Sequence, residues 1–409
     1  MTTPLELATA ELEAANAPAG ENPVRIGILT PMTPPGDDMA GVLVTRGARL
    51  GVEYLAEHGG VLGRGVELVA RNDMATADAD GFGASAAGET AKLALVDEVV
   101  AVLGQWHLRT AGWAAEVCER FGLPMFVENG HSTITHGRKS IFRTYFSCAD
   151  RTPLMVDYMA AQGAKRVAVL AADTVFGQEM ADAVVAYGTE HHGMEFLRID
   201  FAQQEVLDWR ADLERIAAWQ PDFFVNDGVN VAADGKPPGN AYRITQQATE
   251  VGLLPAVPMM VTFGFPMRSA DYWNYAGDAG NGVVWPASRF RPAWPGMTGI
   301  GRWFTERFTE RFGMAPPDTS LSAFTDVTII GAALNAAAEK GELPSEISGI
   351  RKALIESLET HAFDTWRGPV RFDPADHHSS PELVLMQYQE VGQSFNDAAV
   401  VHPAEVQGT

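Results

Sequence analysis

Short strand-like apolar runs alternate with longer stretches of helical spacing along most of the chain. Residues 24–29 read Val-Arg-Ile-Gly-Ile-Leu, a strand; 31–38 follow as loop, and 41–57 have the spacing of a helix. The cycle repeats, with a strand over 66–70 before a helix over 85–95, and a strand over 99–103 before a helix over 110–121. Strands over 124–127 and 140–146 close this first series. A second series places helices over 152–162, 179–191, 208–218 and 242–251, with strands over 166–171, 195–199, 223–225, 258–261 and 282–285. Long amphipathic helices are predicted over 299–312 and 321–339, while 370–372 and 383–388 alternate as antiparallel edge strands do. Residues 231–239, rich in small and loop-forming types, read as an exposed insertion. Strands interleaved with helices imply parallel sheets covered on both faces, an α/β protein.

Ahead of this pattern, Thr3, Pro4 and Glu6 fit an N-cap, a first-turn proline and a capping-box acid for a short helix through Ala15, followed by a linker from Asn16 to Pro23. The 409 residues exceed what one core usually grows to, so two lobes are expected. A net charge of −22 repels phosphate backbones and anionic headgroups, which argues against nucleic acid and membrane surfaces as partners. No uninterrupted apolar run is long enough to predict a membrane-spanning helix. Residues 1–23 carry no Lys or Arg and lack the basic start of a secretory leader, so no signal peptide is expected. Cys118 and Cys148 cannot build a disulfide framework; they read as two separate buried thiols, with a single bridge between them as the alternative. Gly60-Val61-Leu62-Gly63-Arg64-Gly65 has the wrong spacing for a dinucleotide turn and precedes a strand. There is no nucleophile elbow, P-loop lysine or metal-ligand cluster, so no cofactor and no metal are expected.

Seven segments resemble, in order and spacing, the branched-chain amino-acid-binding proteins, type I periplasmic binding proteins that serve ATP-driven importers. They are Ile26-Gly27-Ile28-Leu29-Thr30-Pro31, Gly59-Gly60-Val61-Leu62-Gly63-Arg64, Val99-Val100-Ala101-Val102-Leu103-Gly104, Gly122-Leu123-Pro124-Met125, Ile141-Phe142-Arg143-Thr144, Arg166-Val167-Ala168-Val169-Leu170 with Phe176-Gly177-Gln178, and Gly368-Pro369-Val370-Arg371-Phe372-Asp373. The resemblance runs from about Val24 to Tyr388. It implies two Rossmann-like lobes joined by three crossovers and closing on a ligand. Lobe 1 would comprise 24–147 and 287–365, lobe 2 148–286 and 366–409, with 1–23 an added helix and linker.

In such folds the loops after the carboxyl ends of parallel strands meet the ligand, which selects the segments after Thr30, Leu103, Val127, Ala171, Val225 and Val261. Trp106, His107, Arg109 and Thr110 form a strand-to-helix loop whose N–H groups can hold an oxygen. Trp106 either stacks on a ligand or packs on the sheet end; Arg109 either pairs with a carboxylate or is a solvated helix-start residue. Where the family shows serine and threonine hydroxyls for an α-carboxylate, this chain has Leu108 and Val127, leaving Thr110 as the hydroxyl there. Glu128, Asn129 and His131 occupy the next loop, where Glu128 either faces a ligand and favours an amine, an amide N–H or a cation, or is an exposed loop carboxylate that needs no ligand. His131 reads as an ordinary loop histidine. Phe176 falls where the resemblance implies an aromatic contact, and Phe263 near where it implies an acid for the α-ammonium. Asp227 is the candidate substitute for that acid. Asp37 and Asp38 read as turn residues, and the pairs His191-His192 and His377-His378, adjacent rather than four apart, as pointing apart on a helix or solvent-exposed, without a role.

Three functions remain in view. One is a receptor for a small polar organic ligand, amino-acid-like, amide or amine, that hands it to an ABC permease outside the cytoplasm. A second is a cytosolic sensor of the amide- or urea-responsive type, working on a regulatory protein. The third is a cleft repurposed for catalysis.

Overall fold

The computed structural model describes residues 3–34, 36–73, 82–229, 232, 238–264, 272–291 and 294–403. The chain divides into two compact units, Met1–Phe146 with Gly296–Pro381 (unit 1) and Ser147–Pro295 with Glu382–Thr409 (unit 2). Unit 1 starts with α1 (Pro4–Asn16), β1 (Val24–Thr30), α2 (Asp38–Glu57), β2 (Val66–Asn72), α3 (Phe82–Leu95), β3 (Ala101–Gln105), α4 (Leu108–Phe121), β4 (Met125–Val127) and β5 (Ile141–Phe142). Unit 2 follows with α5 (Cys148–Ala161), β6 (Arg166–Ala172), α6 (Val175–His192), β7 (Glu195–Phe201), α7 (Arg210–Trp219), β8 (Phe223–Asp227), α8 (Asn240–Glu250), β9 (Met259–Val261), α9 (Tyr272–Ala276) and β10 (Val284–Ser288). The chain returns to unit 1 for α10 (Gly299–Phe312), α11 (Asp318–Glu339), α12 (Ile347–Thr360), β11 (Phe363–Thr365) and β12 (Gly368–Val370). It ends in unit 2 with β13 (Leu383–Gln387) and β14 (Ala399–His402).

Unit 1 holds a parallel sheet in the order β2-β1-β3-β4-β5, registered through Val24↔Val66, Ile26↔Ala101, Val102↔Met125 and Met125↔Ile141. Its inner strands are apolar on both faces because helices cover both, so Ile26, Ile28, Val102, Leu103 and Phe126 are all fully buried. The order reverses direction between β1 and β3, which makes the loops after these two strands the sides of a switch point. Unit 2 has the order β14-β13-β10-β9-β8-β6-β7; β6 to β10 are parallel, and β13 and β14 add antiparallel pairs at one edge. Its switch point lies between β6 and β8.

Helix α1 forms with the expected capping box between Thr3 and Glu6. It belongs to unit 1 and is no loose extension. Asn16 brackets the edge strand β2, donating to the Leu68 carbonyl (2.9 Å) and accepting from the Leu68 N–H (2.8 Å), and Glu11 pairs with Arg49 at 2.5 Å.

Helix α11 is long and apolar enough to cross a membrane by length and composition, yet 72% of its apolar window is buried. It is the core helix of unit 1, packed along α2. Close approach is possible because α2 presents glycines: a Cβ at Gly47 would stand 2.1 Å from the Ser320 carbonyl oxygen. Gly88 on α3 is the opposite case, exposed and with no atom within 4 Å of a built Cβ. Gly88→Ala should therefore stabilise the protein by about 0.5–1 kcal/mol through helix propensity alone. Urea unfolding reads this directly; a loss of stability would show a neighbour that the packing lacks.

Several expectations need correction. The second and third crossings fall at 295/296 and 381/382, not at 286/287 and 365/366. Arg289 is tied to Glu382 (2.7 Å) and Arg291 to the carbonyls of Asn396 and Ala398 (3.0 and 2.7 Å), which keeps 287–291 in unit 2. Trp366, Val370 and Phe372 are buried in residues assigned to unit 1, and β12 pairs with β11 in a separate ribbon rather than with the second sheet. The strand expected over 140–146 shortens to β5, and α12 was not anticipated. The insertion at 231–239 lies largely outside the described residues.

Candidate functional site

In unit 1 the site elements converge at the carboxyl end of the sheet. The β3–β4 register slips at Gly104, whose φ of 98° only glycine adopts readily, and this turns Gln105 inward. The Gln105 amide donates to the Leu29 carbonyl (3.2 Å) across the switch point, while its Oε1 is buried without a partner. Trp106, His107 and Arg109 follow, each half-buried at the start of α4. The ring of His107 accepts from the Asp37 N–H at 3.4 Å through Nε2, so this histidine joins two strand-end loops. Thr110 is buried, and its hydroxyl donates to the His107 carbonyl (3.1 Å), closing the first turn of the helix. Asp37 caps α2 by accepting from Ala40 (3.4 Å), which bears out a turn role; burial, then Asp37, pushes the Asp38 carboxyl up.

Glu128, the residue after β4, is wholly buried, and neither carboxyl oxygen has a hydrogen-bond partner among the described residues. Burial, reinforced by Asp326, holds its carboxyl well above the usual range. Asp326, also wholly buried, rides on α11 and accepts from the Thr144 hydroxyl at 2.5 Å, which lies 3.4 Å from the Ser322 hydroxyl; the second oxygen of Asp326 has no partner. Burial pushes Asp326 up to about 8 against the opposing bond from Thr144. Asn129 binds the Gln105 carbonyl (2.9 Å) and the His131 N–H (3.2 Å), and so shapes its own loop. Arg143, almost fully buried, donates to the His131 carbonyl, to the Ser132 carbonyl (3.5 Å) and to His378 Nδ1 (2.9 Å). His377 and His378 are thus not idle surface residues: His377 is buried, stacks on Phe142 with centroids 4.3 Å apart and meets Glu359 at 3.1 Å. His192 likewise meets Asp157 at 2.7 Å, and His191 stacks on Tyr187.

In unit 2, Thr174 caps α6 and sets Phe176 in its first turn, half-buried and edge-on to Phe263 with centroids 5.9 Å apart. Asp227 ends β8, wholly buried, and accepts from the Thr262 hydroxyl, while its other oxygen has no partner. Burial raises this carboxyl well above its usual range, against the pull of Thr262 and Arg151. Arg151 is almost fully buried, donates to the carbonyls of Ser147 (3.2 Å) and Thr262 (2.9 Å), and lies with Cζ 5.4 Å from the Phe176 centroid. The fold thus gathers Phe176, Asp227 and Phe263 in unit 2, and Trp106, His107, Arg109, Thr110, Glu128, Asn129 and His131 on adjacent strand-end loops of unit 1.

Arg151, Thr144 and Asp326 were missed, being on helices or past a very short strand. A lone acid inside the apolar stretch around Phe324-Thr325-Asp326-Val327 was the available signal. Among the described residues no group of three or more His, Cys, Asp or Glu is placed to hold a metal. Cys118 and Cys148 are both free and buried.

Two α/β units with strand-end clusters of buried polar groups define a solute-binding architecture. A sequence profile of the periplasmic binding protein family matches residues 23–393, and the chain belongs to that family. Solved structures share the fold. A leucine-binding protein from Thermotoga maritima is 20% identical, with 92% of this chain and 97% of that one covered at a TM-score of 0.74. A branched-chain amino-acid transporter substrate-binding protein from Streptococcus pneumoniae, in complex with isoleucine, is 19% identical over 93% and 99% at 0.74. A solute-binding protein of an ABC transporter from R. palustris, in complex with benzoate, is 19% identical over 92% and 95% at 0.74. No curated protein matches the sequence. The family and these neighbours are substrate-binding proteins rather than enzymes.

Proposed function

We propose that this protein is a solute receptor for an ABC importer, acting outside the cytoplasm, and that its ligand is a small organic molecule bearing N–H donors. Within unit 1 Trp106, and within unit 2 Phe176 and Phe263, would supply apolar and aromatic contact beside the strand-end acids. The observation that carries the reading is Glu128: a buried carboxyl with two unpartnered oxygens costs stability unless a donor reaches it. Asp227 is a partial counterpart in unit 2, with one of its two oxygens unpartnered. A thermal-shift screen across amides, amines, amino acids and aromatic acids should show stabilisation by N–H-bearing compounds. Glu128→Gln should weaken binding of the best amine by about 30-fold or more, the usual cost of removing one member of a buried charged pair. A response confined to acids, unchanged by that substitution, would reject the reading. The same substrate-binding family supports delivery to a permease, which fractionation of cells expressing the native gene would test; protein confined to the cytosol favours the sensor.

A second reading rests on Arg151. A buried guanidinium beside Phe176 and Phe263 is suited to an aromatic carboxylate, and the R. palustris neighbour was solved with benzoate. Acid-only stabilisation in the screen would favour it.

A further inference from the structure

Buried polar atoms without partners gather on one end of the unit 1 sheet: Thr30 Oγ1 at the end of β1, Gln105 Oε1 at the end of β3, and both oxygens of Glu128 after β4. Asp326 Oδ2 on α11 is also without a partner, and Thr144, which binds the other oxygen of Asp326, lies two residues past β5, the neighbour of β4. Native interiors leave few such atoms, and a concentration of acceptors at a switch point asks for a donor from outside the chain. We propose that Glu128 and Asp326 together take up one primary ammonium group of the ligand. This deepens the reading given above and rests on it, narrowing an N–H-bearing solute to a cationic amine.

The stoichiometry of donors and acceptors supports an ammonium over an amide. The two carboxyls present three unpartnered oxygens, Glu128 Oε1 and Oε2 and Asp326 Oδ2, and an ammonium offers three N–H donors and no acceptor. An amide offers two donors and brings a carbonyl oxygen that needs a donor of its own. The Thr144 hydroxyl is already donating to Asp326.

Among the described residues no cation is paired with either acid. Among charged groups only Asp326 bears on Glu128. Arg143, on the same loop as Thr144, is engaged with His378 and the carbonyls of His131 and Ser132. On α2, Arg49 pairs with Glu11 and Glu53, and Arg46 with Glu11; the acids Asp37 and Asp38 lie in its first turn or cap. On α11 the further acids are Asp318, at the start of the helix, and Glu339, at its end. His131 accepts from the Thr133 N–H through Nδ1.

Burial shifts both carboxyls toward their protonated forms, with Asp326 pushed up to about 8. An ammonium that donates to all three oxygens requires both carboxyls ionised, so binding releases protons and amine affinity rises with pH below the pKa values of the pair.

The test uses matched trios on two skeletons, benzylamine, benzamide and benzoate, and 3-methylbutylamine, 3-methylbutanamide and 3-methylbutanoate, scored by thermal shift and then calorimetry. The expected result is that an amine binds at least about tenfold tighter than its amide. Titration in phosphate and in Tris should show proton release. Asp326→Asn, which keeps an acceptor for Thr144, should lower amine affinity by about tenfold or more and leave amide affinity within about twofold. Amides binding as well as amines, or Asp326→Asn leaving amine affinity and proton release unchanged, would overturn this inference while the N–H-donor reading stands. Binding of acids alone, or of no member of either trio, would overturn both.

Discussion

Without ligand, the protein should be more stable toward urea at about pH 5 than at about pH 8, with the difference traceable to three carboxyls. Glu128 and Asp227 are held well above their usual range by burial, and Asp326 is pushed up to about 8. The unfolded chain gives up these protons near pH 4, whereas the folded chain keeps them through the neutral range. The folded state therefore binds more protons than the unfolded one between the two pKa values, and stability falls as pH rises through that window. The slope is about −1.4 kcal/mol per pH unit for each carboxyl still protonated in the folded state. Carboxylates held low act elsewhere: Asp222, lowered by the backbone N–H groups of Lys165 and then Arg166, loses its contribution only below its ordinary range. Removing one charge should flatten the profile, and Glu128→Gln should raise ligand-free stability near neutral pH, because a neutral amide has no ionised form to bury. Urea midpoints at several pH values, with constant m, provide the measurement. A wild-type protein more stable at the alkaline end, or a Glu128→Gln profile parallel to wild type, would show that these acids find partners the fold does not provide.

That same group of acids shows how far the chain could be read before its structure. The β–loop–α alternation was legible because strand and helix periods differ so strongly, and a parallel sheet then places the loops after β3, β4, β6, β8 and β9 at its carboxyl end. Trp106, Glu128, Phe176, Asp227 and Phe263 follow from that rule. Asp326 does not, since a helix that is buried all round offers no periodicity to mark which face meets a strand end. Arg151 was hidden for a similar reason: its partner Thr262 is over a hundred residues away in sequence, and nothing local announces the contact. The crossing positions failed where pairing is non-local. Arg143 bridges to His378 across the whole second unit, so residues that read as the start of a terminal edge sheet are fastened to unit 1. His377 and His378, adjacent and polar, looked exposed because adjacency on a surface loop is the commonest reason for such a pair, yet Phe142 and Arg143 supply a ring and a guanidinium that bury one and bind the other.

The packing that carries Asp326 to Glu128 can be broken by one methyl group. Gly47→Ala should destabilise the protein by about 3 kcal/mol and abolish the ligand-induced thermal shift together. A Cβ at residue 47 would stand 2.1 Å from the carbonyl oxygen of Ser320 and 2.8 Å from its Cα, whereas carbon and carbonyl oxygen approach no closer than about 3.3 Å even in favourable contacts. The obstructing atoms are backbone, so no rotamer change relieves the clash, and α2 and α11 must separate by roughly 1 Å. Separation also breaks the bond from the Ser320 hydroxyl to the Leu43 carbonyl (2.7 Å), the polar tie between the two helices at this level. Ser322 and Asp326 stand farther along α11, so the displacement carries them away from Thr144 and Glu128. Gly51→Ala should also destabilise, because its nearest obstruction is Val327 Cβ at 2.7 Å, which no rotamer change moves. Urea unfolding and ligand thermal shift on the same preparations separate the outcomes. A Gly47→Ala protein within about 0.5 kcal/mol of wild type and with its ligand response intact would mean that α2 and α11 are not locked at this crossing.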